Sequence, residues 1–237
     1  MSSDGELILA NLQQVAHERA QRHGNAALEA RVLALKAYQR ARFAKTYADL
    51  LAQARYERAV RFFLDDLYGP TDFSARDGQF ARVVAPLVKL FPKEMVATVA
   101  KLARLHALSE ALDTRMAQVL PGPHINAAAY LSAWLTTGRP ADREQQIDLM
   151  LAVGQALDRY TRNAVLRHSL RLMRGSARAA GLGALQSFLE TGLGAFREMR
   201  GAQEFLTITG ERERRLAAEL FAAELPAAKA AVLGLLP

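Results

Sequence analysis

Apolar residues recur at intervals of three and four along most of the chain, which predicts one helix after another. Tyr56, Val60, Phe63 and Leu67 share one face of a long helix expected over 26–68. Phe80, Val83, Val84, Leu87 and Val88 form the buried face of the next, which Pro86 is expected to bend or interrupt. Leu105, Leu108, Leu112, Met116 and Val119 mark a third stripe, over 93–119.

Punctuation divides these stripes. Ser3 and Glu6 have capping-box spacing, and His23-Gly24-Asn25 ends the first helix. Gly69-Pro70 stops the long one; Asp72 or Ser74 can cap its successor, with Asp77 suited to the first turn. Phe91-Pro92 closes that helix, and Pro92 can open the following one. Asn126 can cap a short helix bearing Tyr130, Leu131 and Trp134, before a break at Gly138-Arg139-Pro140. One or two helices are expected over 142–180, weakened or ended by Gly175 and Gly181. Leu185, Phe188, Leu189 and Phe196 mark another, and the last runs over 203–223. Phe205 to Thr209 is the one β-like patch.

The expected fold is therefore all-α, a multi-helix bundle of about seven to nine helices without significant sheet. The expectation is a single compact domain over 1–237. Pro121-Gly122-Pro123 is its strongest break, separating a half at 1–120 from one at 124–237. The Ala/Leu-rich tail after Leu225 is read as a docked or frayed end. Gly183, Gly192 and Gly194 fit packing against a neighbouring backbone, or fraying. If the 26–68 helix projects from the body it can pair with a second copy, so a homodimer is expected.

The chain has no cysteine, which excludes disulfides, thiolate metal sites and a cysteine nucleophile. Residues 1–14 are acidic and soon polar, unlike a secretory leader, and no run of about 18 apolar residues occurs. A cytoplasmic protein without a membrane span is expected. The net charge of +7 is unevenly placed. Arg31, Lys36, Arg40, Arg42 and Lys45 lie in one acid-free stretch, and Arg159, Arg162, Arg167, Arg171, Arg174 and Arg178 in another.

The block FFLDDLYGPTDFSARDGQFARVVAPLVKLFP, with the late segment from Leu185 to Phe221, resembles an uncharacterised family of bacterial all-helical proteins, a domain of unknown function. The resemblance implies a helical fold and a bacterial cytosolic setting. It implies no catalytic residue.

At about 100° per residue, Arg167, Arg171, Arg174 and Arg178 lie within about 60° of one another, with Leu166, Leu170, Met173 and Ala177 on the buried side. Such a ridge needs counter-charge, from solvent, from acids such as Asp65, Asp66 or Glu198, or from a bound anionic ligand or nucleic acid. Asp65, Asp66, Asp72 and Asp77 crowd one turn; Asp72 and Asp77 suit helix starts, and Asp65 and Asp66 can pair with Arg61, Arg76 or Arg82. His106, Glu110 and Asp113 share a helix face and are expected to form a solvated polar stripe, since no Glu-x-x-His and no H-E-x-x-H accompanies them. Trp134 and Tyr130 read as a core plug. No Walker loop, G-x-S-x-G elbow or dinucleotide fingerprint occurs. No cofactor, metal or catalytic residue is therefore called for. Three readings follow: a non-enzymatic helical interaction or scaffold protein; an anion or nucleic-acid binder along the arginine ridge; or an apolar ligand pocket between helices, lined by residues such as Phe63, Phe80 and Trp134.

Overall fold

Among the described residues, helix formers at core spacing give thirteen α-helical segments, one π-helical turn and no strand. The computed structural model describes residues 3–67, 69, 73–172, 174–223 and 226–237. The predicted turn residues Tyr68, Pro70, Thr71 and Asp72 lie outside them.

Helix α1 (Ser3–His23) buries Ile8, Leu12 and Val15. Asn25 then caps α2 (Ala26–Thr46): the Leu28 N–H donates to Asn25 Oδ1 at 3.0 Å. The expected long helix is not continuous. It breaks after Thr46 into α3 (Ala48–Leu51), α4 (Glu57–Phe62) and a π-helical turn at Phe63–Leu67. Tertiary bonds explain the break. Arg212 Nη1 donates to the Thr46 carbonyl at 2.8 Å, and Arg55 reaches the carbonyls of Met199 and Gly201. The Thr46 acceptor is thus satisfied from elsewhere, Arg55 ties the following stretch to the end of α11, and Tyr47, Leu50 and Tyr56 are buried. Of the predicted stripe Tyr56, Val60 and Phe63 are buried, and the Leu67 side chain lies outside the described set. The stretch expected to project packs on the bundle, α2 against α6 and α4 against α11.

Helix α5 (Ser74–Leu90) runs through Pro86 uninterrupted. Phe73, not Ser74, takes its N-cap position. Pro92 caps α6 (Lys93–Val119), which at about 40 Å is the longest helix and packs against α1 and α2. Asn126 caps α7 (Ala127–Thr137), with the Ala129 N–H donating to Oδ1 at 2.9 Å. Gly138 and Arg139 then turn with φ of 64° and 68°, and Pro140 opens α8 (Pro140–Thr161).

The 142–180 segment breaks after Thr161; α8 is followed by α9 (Ala164–Leu172) and α10 (Arg174–Ala179), with Met173 between them outside the described residues. Gly181, at φ 68°, closes α10 in a Schellman pattern: the Leu182 N–H donates to the Ala177 carbonyl and the Gly181 N–H to that of Arg178. Helices α11 (Gly183–Glu198), α12 (Gln203–Ala222) and α13 (Pro226–Leu235) complete the chain. The β-like patch is the first turns of α12. The tail is docked: Val232 and Leu236 are buried, and Lys45 Nζ donates to the carbonyls of Gly234 and Leu236. No described helix is long and apolar enough to cross a membrane.

Three apolar clusters hold the bundle. The first is aromatic, where Phe43, Tyr56, Phe62, Phe63, Phe196 and Phe205 meet between α2, α4, α11 and α12. Here Gly192 and Gly194 are explained by side chains rather than by a neighbouring backbone. A Cβ on Gly192 would sit 2.8 Å from the Phe62 ring, and one on Gly194 3.2 Å from the Arg58 guanidinium. The second joins Leu28, Val32 and Leu35 to Tyr130, Trp134 and Leu220, side chains from both sides of the break at 121–123. The third, around Ile8, Val84 and Val96 between α1, α5 and α6, is the smallest. The cavity described below opens beside it.

A buried charge seam and an apolar cavity

Charged residues fall on helix stripes that otherwise bury apolar side chains. On α1 the stripe Ile8, Leu12, Val15 continues as Arg19 and Arg22. On α6 Ala103 is followed at the same spacing by His106, Glu110 and Asp113, and then by buried Ala117. On α5 Asp77 precedes Phe80 and Val84. Packing α1 and α5 on α6 brings these positions together.

The expected solvated stripe on α6 is in fact buried. Glu110 is 2% exposed and Asp113 8%. Glu110 accepts from Arg22 Nη1 and Lys36 Nζ, each at 2.6 Å, while Arg22 Nη2 donates to the Glu110 carbonyl at 2.8 Å. Thr114 Oγ1 accepts from Arg22 Nε at 3.0 Å. Burial alone would raise the Glu110 carboxyl, but the charges of Lys36 and Arg22 hold it at about 2. Asp113, bonded to Gln39 Nε2 at 3.1 Å, is pushed above the ordinary carboxylate range by its burial.

Asp77 does more than favour a helix start. Its Oδ2 lies 2.7 Å from His106 Nε2 and 2.9 Å from Arg19 Nη1, and its Oδ1 lies 3.4 Å from Arg76 Nε. Burial opposes its ionisation, but the His106 bond and the nearby cations hold it below the usual range. An ionised Asp77 requires His106 to donate from Nε2. The other predicted pairings differ: Asp65 pairs with Arg40, Arg61 with Glu57, and Arg82 donates to the Gly181 carbonyl. Among the described residues no group of three or more His, Asp or Glu is placed to hold a metal ion.

Asp77 and His106 form the polar wall of a cavity of about 390 Å³. Its other walls are apolar: Phe80, Val83, Pro86 and Leu87 from α5, Val99 and Leu102 from α6, and Leu185, Phe188 and Leu189 from α11. Arg76, Ser109 and Gln186 add polar groups. Of the residues proposed to line a pocket, Phe80 lines this one. Phe63 lies in the aromatic core, and Trp134 borders a separate, smaller chamber of about 70 Å³, lined by apolar side chains together with Arg42, Asp113, Arg143 and Glu213. Trp134 and Tyr130 do plug the second core, both being buried.

Of the arginine ridge, Arg171 stands on α9, and Arg174 and Arg178 stand on α10. Arg174 is paired, donating to Glu190 from Nη2 at 2.8 Å and from Nε at 3.1 Å. Its partner is thus Glu190 rather than Asp65, Asp66 or Glu198. Arg171 and Arg178 are exposed and have no ion-pair partner among the described residues. The Arg167 side chain and Met173 lie outside those residues. Arg171 and Arg174 line a groove of about 310 Å³ with Arg58 and Arg197, and Arg58 is paired with Glu198. Sequence reasoning missed Arg58 and Arg197 because they stand on different helices. It also missed Arg19 and Arg22, although the α1 stripe carried a signal: two arginines at core spacing demand buried counter-charges.

No curated protein and no solved structure matches the chain. Residues 18–226 match the family described as Domain of unknown function (DUF8198), and the chain belongs to that family.

Proposed function

We propose that this chain is a non-enzymatic binding protein of the bacterial cytoplasm that takes an apolar small molecule between α5, α6 and α11. The observation that carries this reading is the 390 Å³ cavity, apolar on most sides and polar at one wall. Ligand sites combine that volume, an apolar lining and a few convergent polar groups. A purely structural scaffold would be served by a filled interior. The central-block resemblance supports the bacterial setting. The test is titration with a neutral apolar dye whose emission rises out of water. The wild type should bind, and Leu189→Trp, which fills the cavity, should weaken binding by about tenfold or more. No binding by the wild type, or equal binding by a folded Leu189→Trp, would refute the reading.

A second reading is an anionic ligand or nucleic acid at the arginine groove. It is favoured by Arg171 and Arg197, which line the groove with no carboxylate partner among the described residues. Binding there should fall steeply with salt by counterion release, and should weaken in Arg171→Glu/Arg174→Glu. Binding insensitive to both would dispose of it.

A further inference from the structure

The polar wall of the large cavity belongs to a charged cluster in which Asp66 as well as Asp77 acts on Arg76. Arg19, Arg22, Lys36 and Arg76 share the carboxylates of Asp77 and Glu110. Glu110 is engaged by Arg22 and Lys36 at 2.6 Å each. Asp77 is engaged by His106 and Arg19 and leaves Arg76 only a 3.4 Å approach. Arg76 is the cation this network serves least.

Its guanidinium is nevertheless held in place. It lies between two aromatic rings, 4.1 Å from the Phe73 centroid and 4.6 Å from that of Phe188, which itself lines the cavity. Nη1 donates to the Asp66 carbonyl at 2.8 Å, and Nη2 has no protein acceptor among the described residues. The side chain is 13% exposed, and burial works against its charge. A rigid, largely desolvated guanidinium with an open edge is matched by an acceptor that carries negative charge. A cationic head would meet like charges, and a purely apolar ligand would leave the Nη2 donors unpaired.

We propose that the ligand of this cavity is an apolar molecule ending in a carboxylate, of the fatty-acid class, its head on the open edge of Arg76 and its tail along Phe80, Leu102 and Leu189. The proposal rests on the reading of the cavity as a ligand site.

The test compares decanoate, decanol and decyltrimethylammonium as competitors of the neutral dye, at about pH 8, where decanoate is ionised. Decanoate should bind the wild type at least about tenfold more tightly than decanol, with the cation weakest. Arg76→Met, which keeps an apolar stem between the rings, should bring acid and alcohol to within about twofold and leave decanol unchanged. If that variant does not fold, Arg76→Lys serves instead. It keeps the charge but loses the planar fork, and should cut the preference at least about threefold. Equal binding of acid and alcohol by the wild type, or a preference that survives these substitutions, overturns the carboxylate assignment while leaving the cavity a ligand site. Failure of every competitor and of the dye itself overturns both.

Discussion

Arg22 grips Glu110 twice, with Nη1 on the carboxylate at 2.6 Å and Nη2 on the same residue's main-chain carbonyl at 2.8 Å. Both residues are buried, so the pair ties α1 to α6 where neither ion can recover water. Removing one partner leaves the other's charge uncompensated, which costs more than the intact pair contributes. Glu110→Ala should destabilise the protein by about 3–5 kcal/mol. That corresponds to a fall in Tm on the order of 10 °C for a chain of this size. Chemical denaturation checks it, and a loss within the surface range of about 0.5 kcal/mol would contradict it.

The same carboxylate sets a dependence on acid. The folded-state value of Glu110, about 2, lies below its ordinary 4.5. Its contribution is therefore fully present above the unfolded value and is lost as pH falls toward the folded one. The size is on the order of 3 kcal/mol. Asp77 is depressed and acts with the same sign. Asp113 is raised, so its ionisation opposes the fold and acid relieves that penalty. Wild-type stability should fall between about pH 5 and pH 2, and Glu110→Gln should flatten the decline. Parallel curves for the two proteins would contradict the assignment.

A close approach on α11 gives a prediction of opposite sense to helix propensity. Alanine is better than glycine in a helix by about 1 kcal/mol. At Gly192, however, the added Cβ would sit 2.8 Å from the Phe62 ring, itself packed beside Phe63 and Phe188. Gly192→Ala should destabilise by about 1–3 kcal/mol through overpacking. In a double-mutant cycle, Phe62→Leu should absorb part of that loss. A stabilising Gly192→Ala would show that the ring yields freely.

The hydroxyl of Tyr47 donates to Glu213 Oε1 at 2.9 Å, and Arg42 Nη1 reaches the same oxygen at 2.6 Å. Burial pushes the phenol above its ordinary range, so it stays protonated and keeps donating. Tyr47→Phe should cost about 1.5–3 kcal/mol, the worth of one buried bond to a charged acceptor. Equilibrium unfolding of the two proteins measures it.

Local chemistry was legible and distant chemistry was not. Asn126 and Pro92 mark helix starts because their effects reach only a few residues, while Asn25, read as the end of the first helix, caps α2. The end of α2 carries no glycine or proline; Arg212 terminates it from a distant helix, and periodicity cannot report that. Glu110 looked like a solvated position because its partners Arg22 and Lys36 lie on other helices. Spacing along one helix could not show that Arg174 pairs with Glu190, because Glu190 stands on α11. Phe80 is legible as an inward residue from the stripe it shares with Val84 and Leu87. The walls supplied by α11 became visible only once α5 and α11 were seen to pack together.

The most direct measurement is a crystal structure of the protein grown with a neutral iodinated alkane. The account predicts an anomalous peak between α5, α6 and α11, in contact with Phe80, Leu102 and Leu189. Side chains of α5 and α11 closed against α6, with no peak between them, would contradict it.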